Sequence, residues 1–149
     1  MGAGKIFCIL GGIVTLLATY LFSFAGSFYG IGFIMNIPTA FLSDVLTIVM
    51  AVVFIIFLLA GLFIILGVKS RALAIIGSLF AIVIGIYFVL TFFAVLPVEI
   101  GQFADLFDYP PLVANIIPLD VMIGSVGLGT YLLLGGGVLG LIGGIMGTD

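Results

Sequence analysis

Residues 45–96 read VLTIVMAVVFIIFLLAGLFIILGVKSRALAIIGSLFAIVIGIYFVLTFFAVL. Two apolar stretches, 45–68 and 72–96, flank the tripeptide Lys69-Ser70-Arg71, and neither carries a charge. A helix rising 1.5 Å per residue needs about 20 apolar residues to cross a hydrocarbon core about 30 Å thick. Both stretches are long enough. With so short a connection the second helix has to run back along the first, so the segment predicts an antiparallel transmembrane hairpin.

Working outward, two more stretches meet the same criterion, at about 6–25 and 121–147. The expected fold is therefore all-α: a single transmembrane domain over 1–149, built as an antiparallel up-down four-helix bundle. Composition agrees, with 65% apolar and 6% charged residues against about a quarter charged in soluble domains. The chain has no histidine and one cysteine, Cys8. An intramolecular disulfide and a CxxC site are thereby excluded, and the commonest general base and metal ligand is missing. Three basic residues at a net charge of −3 form no patch for a phosphate backbone, so nucleic acid is not an expected partner.

The charges sort along the chain. Lys5, Lys69 and Arg71 lie at the amino terminus and in the tight turn, while Asp44, Glu99, Asp105, Asp108 and Asp120 lie in or beside the two long connections. By the positive-inside rule both termini and the turn are expected in the cytoplasm, the protein residing in the plasma membrane. Ser23-Phe24-Ala25 after an apolar run resembles a signal-peptide cleavage site, but the run is longer than a usual signal core and reads as a retained span.

Neither long connection is hydrophilic. The first, Gly26-Ser27-Phe28-Tyr29-Gly30-Ile31-Gly32-Phe33 and onward to Pro38, is aromatic and punctuated by glycine. In the second, Glu99, Gln102, Asp105 and Asp108 recur every three residues, with Ile100, Phe103, Leu106 and Phe107 between them. That pattern predicts a short amphipathic helix on the outer membrane surface, stopped by Pro110-Pro111. Asp44 and Asp120 are expected as N-caps of the second and fourth spans.

Lipid gives helices little hydrophobic reason to associate, so small residues that permit close approach matter more. Gly11, Thr15, Thr19 and Ser23 form a four-residue stripe on the first span; Gly77, Ala81 and Gly85 form one on the third; Gly136, Gly140 and Gly144 form one on the fourth. The fourth span holds ten of the chain's 22 glycines. Packing within the bundle explains such stripes, and so does a face that seats a second chain. Span two is bulky and aliphatic, suited to lipid or to the grooves left by its neighbours.

No constellation for catalysis, a metal or a cofactor is expected. Gly2-Ala3-Gly4-Lys5 lacks the upstream glycine and the following Ser/Thr of a phosphate-binding loop. Asp105 and Asp108 read as the polar side of a surface helix. Tyr20, Tyr87, Thr91, Ser125 and Tyr131 fall mostly toward the outer half of the spans, where they either line a shallow polar cavity or hydrogen-bond to carbonyls one turn back and across helices.

Four spans, two outer loops and a tight inner turn resemble the tetraspan arrangement of claudins and tetraspanins. The claudin tryptophan, the loop cysteine pair and a Cys-Cys-Gly motif are all missing, so that likeness implies topology alone. Gly4-Lys5-Ile6-Phe7-Cys8-Ile9-Leu10-Gly11-Gly12, continued to Phe24, resembles the first span of small archaeal four-span membrane proteins, which implies no activity. Rotary-ring proteolipids share the glycine stripes but need a carboxylate in mid-membrane, which this chain lacks. The expected role is non-enzymatic, exercised by packing against the lipid bilayer and other membrane helices. The alternative is passage of a small neutral or apolar solute.

Overall fold

The computed structural model describes residues 2–25, 28–93, 95, 97–109, 122–123 and 126–147. It is mostly helical. Three helices, α1 (Ala3–Tyr20), α5 (Arg71–Phe92) and α7 (Leu128–Met146), are long and apolar enough to cross a membrane. A fourth crossing is available as a pair, α3 (Val45–Leu58) and α4 (Ala60–Leu66), bent by 41° at Leu59. α1, α4, α5 and α7 form a closed ring of neighbours: α7 packs on α1 and α5, and α4 packs on the same two helices from the other side.

Glycine sets the spacing of this ring. A Cβ on Gly11 would lie 2.7 Å from the Gly136 oxygen and 2.6 Å from the Gly140 nitrogen, so the two backbones are in direct contact. The partners change in order. Gly4 meets Gly143 and Gly147, Gly11 meets Gly136 and Gly140, and Ser23 meets Gly129, descending α7 as α1 is ascended. Where a neighbour is bulky it fills a glycine groove: Ile65 sits on Gly12, and Ile64 lies 2.7 Å from a Cβ on Gly140. Span two thus packs into the ring through α4.

The outward surface is the reverse of a soluble protein's. Ile6, Leu10, Ile13 and Leu17 form one exposed stripe on α1, and Ile76, Leu79, Val83 and Ile86 form another on α5. Small residues face in and branched aliphatic ones face out, as lipid solvation favours.

At one end of the ring lie Lys5, Lys69 and Arg71. Arg71 reaches across to the last turn of α7, its Nε donating to the Gly144 carbonyl at 3.0 Å and a terminal nitrogen to that of Ile145 at 3.1 Å. Helix C-termini leave carbonyls without intrahelical donors and carry partial negative charge, and a guanidinium satisfies both. Gly147 ends α7 at φ 94, a conformation suited to glycine.

The opposite end is more elaborate than the sequence suggests. The first connection holds a two-stranded antiparallel ribbon, β1 (Ser23–Ala25) and β2 (Phe28–Tyr29), then a twelve-residue helix, α2 (Gly30–Phe41). The second holds α6 (Val98–Gly101), a 3₁₀ helix (Gln102–Phe107) and a small ribbon, β3 (Met122–Ile123) with β4 (Val126–Gly127). The expected fourth span therefore starts later, at Leu128 rather than near 121, and runs unbroken past Gly135-Gly136-Gly137. Span two is the one that breaks. The amphipathic pattern of 99–108 gives helical turns, of which Phe103 and Phe107 are buried while Ile100 is exposed. The proline stop at 110–111 and the cap at Asp120 lie outside the described residues; Asp44 caps α3 as expected, accepting from the Thr47 N–H at 3.1 Å.

Candidate functional site

Two regions offer themselves as a site: the glycine-lined interior and the end of the bundle farthest from the basic residues.

In the interior the expected packing residues are all buried: Gly11, Thr15, Thr19 and Ser23 on and beyond α1, Gly77, Ala81 and Gly85 on α5, and Gly136, Gly140 and Gly144 on α7. The stripes of α1 and α7 meet each other at Gly11, Gly136 and Gly140, while Gly77 meets Ala60 and Phe63 of the broken span, and Gly85 meets Leu134. Gly144 lies against Ile75 and Ala74. Every one of these glycines is therefore used within the chain. Gly135 differs: nothing lies within 4 Å of where its Cβ would be.

The polar atoms of the interior are largely committed to the backbone. Thr19 Oγ1 donates to the Thr15 carbonyl at 2.8 Å and Ser78 Oγ to that of Ala74 at 2.6 Å, each one turn back. Thr130 Oγ1 donates across to the Phe24 carbonyl at 3.0 Å, tying the start of α7 to β1. Thr15 Oγ1 is buried with no hydrogen-bond partner among the described residues. It lies directly against Gly136, where a polarised Cα–H offers only weak compensation.

At the far end, the hydroxyls expected either to line a cavity or to bond to carbonyls reach separate carbonyls. Tyr20 donates to Leu58 at 2.7 Å, Tyr87 to Ile100 at 2.8 Å, and Thr91 to Tyr87 at 2.7 Å. Tyr131 is half-buried on α7, and Ser125 lies outside the described residues. The Tyr20 bond explains part of the break in span two. Leu59 turns its N–H back to Ile56, tightening the last turn of α3, and the Tyr20 hydroxyl takes the Leu58 carbonyl beside it. Inside a membrane a helix can be broken only where other groups satisfy its backbone.

Sequence reading missed what fills this end. Phe24 from β1, Phe33 from α2, Phe54 and Phe57 from α3, Phe88 from α5 and Phe107 from the 3₁₀ helix are all fully buried in one cluster. Phe107 is its hub, with ring centroids 4.8 Å from Phe54, 5.0 Å from Phe33, 5.0 Å from Phe88 and 5.8 Å from Phe24. The Phe33 ring is stacked on it and the other three meet it edge-on, and such pairs contribute about 0.5–1.5 kcal/mol each beyond their buried area. Asn36 of α2 holds the hub in place, donating to the carbonyls of Leu106 at 2.8 Å and Asp108 at 3.0 Å. A backbone bridge joins Phe28 to Asp108. The rings come from five separate elements, and only the pairs Phe54/Phe57 and Phe88/Phe92, at helical spacing, hint at the cluster in sequence.

For chemistry the inventory is short. Among the described residues no three His, Cys, Asp or Glu side chains come together to hold a metal ion. Cys8 is buried, with its sulfur 2.8 Å from where a Cβ of Gly143 would stand. Comparisons with protein-family models, with curated proteins and with solved structures find no match.

Proposed function

We propose that the chain is an antiparallel up-down four-helix protein of the plasma membrane that acts by packing and assembly and catalyses no reaction. It serves as an accessory subunit of a membrane complex or as a self-associating structural component. The contacts that ascend α1 and descend α7 support the antiparallel arrangement. The gathering of Lys5, Lys69 and Arg71 at one end supports cytoplasmic termini and a cytoplasmic turn.

The observation that carries the functional reading is where the interior hydroxyls go. Thr19, Ser78, Thr130, Tyr20, Tyr87 and Thr91 each donate to a backbone carbonyl, which serves the fold and leaves little to bind a substrate. Because the glycine faces close within the chain, a partner helix would meet the aliphatic stripes of α1 and α5, shared with lipid. Native mass spectrometry from a nanodisc tests this. A defined oligomer or a stoichiometric co-purifying subunit is expected, and a strictly monomeric protein with no companion overturns it.

One observation favours a second reading, passage of a small neutral or apolar solute. Discontinuous helices often line transporter sites, and α3–α4 is discontinuous at Leu59. Flux into proteoliposomes identical to that into protein-free vesicles ends that reading.

A further inference from the structure

Among the described residues, the most exposed large apolar side chains are not on the long helices but at the corner between α2 and α3. Leu42 is 88% exposed and Val45 77%, with Phe41, Leu46 and Val49 beside them. α2 has twelve residues, about 18 Å of helix, too short to cross a bilayer. We propose that this corner is a lipid-seated wedge, its side chains among the acyl chains of the leaflet remote from Lys5, Lys69 and Arg71, with Asp44 at the headgroup level. The inference rests on the membrane-spanning reading above and not on assembly.

Three observations favour lipid as the occupant. First, the patch continues the exposed surface of the broken span: Leu42, Val45 and Val49 lead into Val52, and Leu59, Leu62 and Leu66 continue it beyond the bend. Second, the turn pairs several of its own backbone groups, which lipid-facing backbone requires. Leu42 N–H bonds to Thr39, Ser43 N–H to Ala40 and Ile48 N–H to Asp44, while Ser43 Oγ donates to the Thr39 carbonyl at 3.0 Å. Third, Asp44 is the only charge between Lys5 and Lys69, and it stands at the start of α3, where an interfacial carboxylate also favours the helix N-terminus. The 41° bend at Leu59 tips α3 away from the axis of α4. α2 and the 3₁₀ helix pack beside it, which broadens this end of the molecule within one leaflet.

The test uses the full chain in phosphatidylcholine vesicles, carrying Cys8→Ser and a single fluorophore on Leu42→Cys. Leu79→Cys on the α5 stripe and Asp105→Cys on the exposed side of the 3₁₀ helix are the references. The Leu42 probe is expected to be quenched by brominated acyl chains as strongly as the Leu79 probe, and several-fold less by aqueous iodide than the Asp105 probe. Iodide quenching equal to that at Asp105 overturns the proposal. So does a disulfide between copies through Leu42→Cys with no bromolipid quenching, which would assign the corner to a second chain. Val45→Cys gives an independent measurement if Leu42→Cys folds poorly. Iodide quenching at Leu79 as well would instead defeat the membrane-spanning reading, so the two failures are distinguishable.

Discussion

The hydroxyl of Tyr20, at the end of α1, donates to the carbonyl of Leu58 at 2.7 Å, the point where span two breaks. One side chain therefore joins the first span to the discontinuity of the second. The contact also separates the hydroxyl's structural use from the cavity-lining role its position suggests.

Tyr20→Phe removes the donor and leaves the ring. Hydrogen bonds between helices in membranes contribute about 0.6–1.7 kcal/mol, and a destabilisation of that order is expected in reversible unfolding from mixed micelles. Amide exchange at Leu59 and Ala60 should rise in the variant. Unchanged exchange there would show that the break is held by α1 and α5 packing alone.

Gly135 and Gly136 are adjacent and should respond oppositely. A Cβ on Gly136 would strike Thr15 Oγ1 and lie 2.8 Å from the Gly11 oxygen, so Gly136→Ala must push α1 and α7 apart. Overpacking of this kind costs about 1–3 kcal/mol. Gly135→Ala enters open space and replaces a poor helix former, so stability should hold or rise by up to about 1 kcal/mol. Unfolding midpoints of the two variants decide it. With Ser78 and Ile64 against Gly140, Gly140→Leu should likewise damage the bundle itself.

The parts of this fold that follow from one-dimensional rules were legible in sequence. Charge-free length marked the three helices long enough to cross a membrane and the bent pair that makes a fourth if it is one span, and the four-residue stripes named residues that are in fact buried. What was not legible depends on contacts between distant segments. The break at Leu59 has no proline to announce it, and the hydroxyl that takes the Leu58 carbonyl beside it comes from Tyr20 of α1. α2 sits in a stretch containing Gly30, Gly32 and Pro38, which local propensity reads as loop, and it is helical because Phe33 and Ala40 bury against neighbours. The phenylalanine cluster draws on five elements, and no spacing rule spans such distances.

Asp44 gives the chain an acid-sensitive helix start. Hydrogen bonding by the Thr47 side chain, and then by its backbone N–H, holds the carboxyl below the usual aspartate range. A folded pKa below the unfolded value means that the cap's contribution is complete above the unfolded value of about 3.9. It is lost as pH falls through the lower folded value. Exchange of the first amides of α3 should therefore accelerate below about pH 4. Asp44→Asn should keep most of the cap and abolish the pH dependence, whereas Asp44→Ala should fray the turn at every pH.

Phe107 separates the two functional readings. Its ring is fully buried and contacts five other phenylalanines, from Phe24 to Phe88. Removing it leaves a void among rings, and Phe→Ala in a core costs about 3–5 kcal/mol. Phe107→Leu, which refills part of the space, should cost less than half of that. If the protein works by packing, both variants lose stability in that order and vesicle flux stays at the protein-free level. If the cluster is a plug over a solute path, Phe107→Ala should raise flux of a small neutral solute above that of the parent chain. Measuring flux and unfolding on the same two variants distinguishes the outcomes, because a leak caused by general unfolding would track stability, whereas an opened path would appear in vesicles whose protein is still folded.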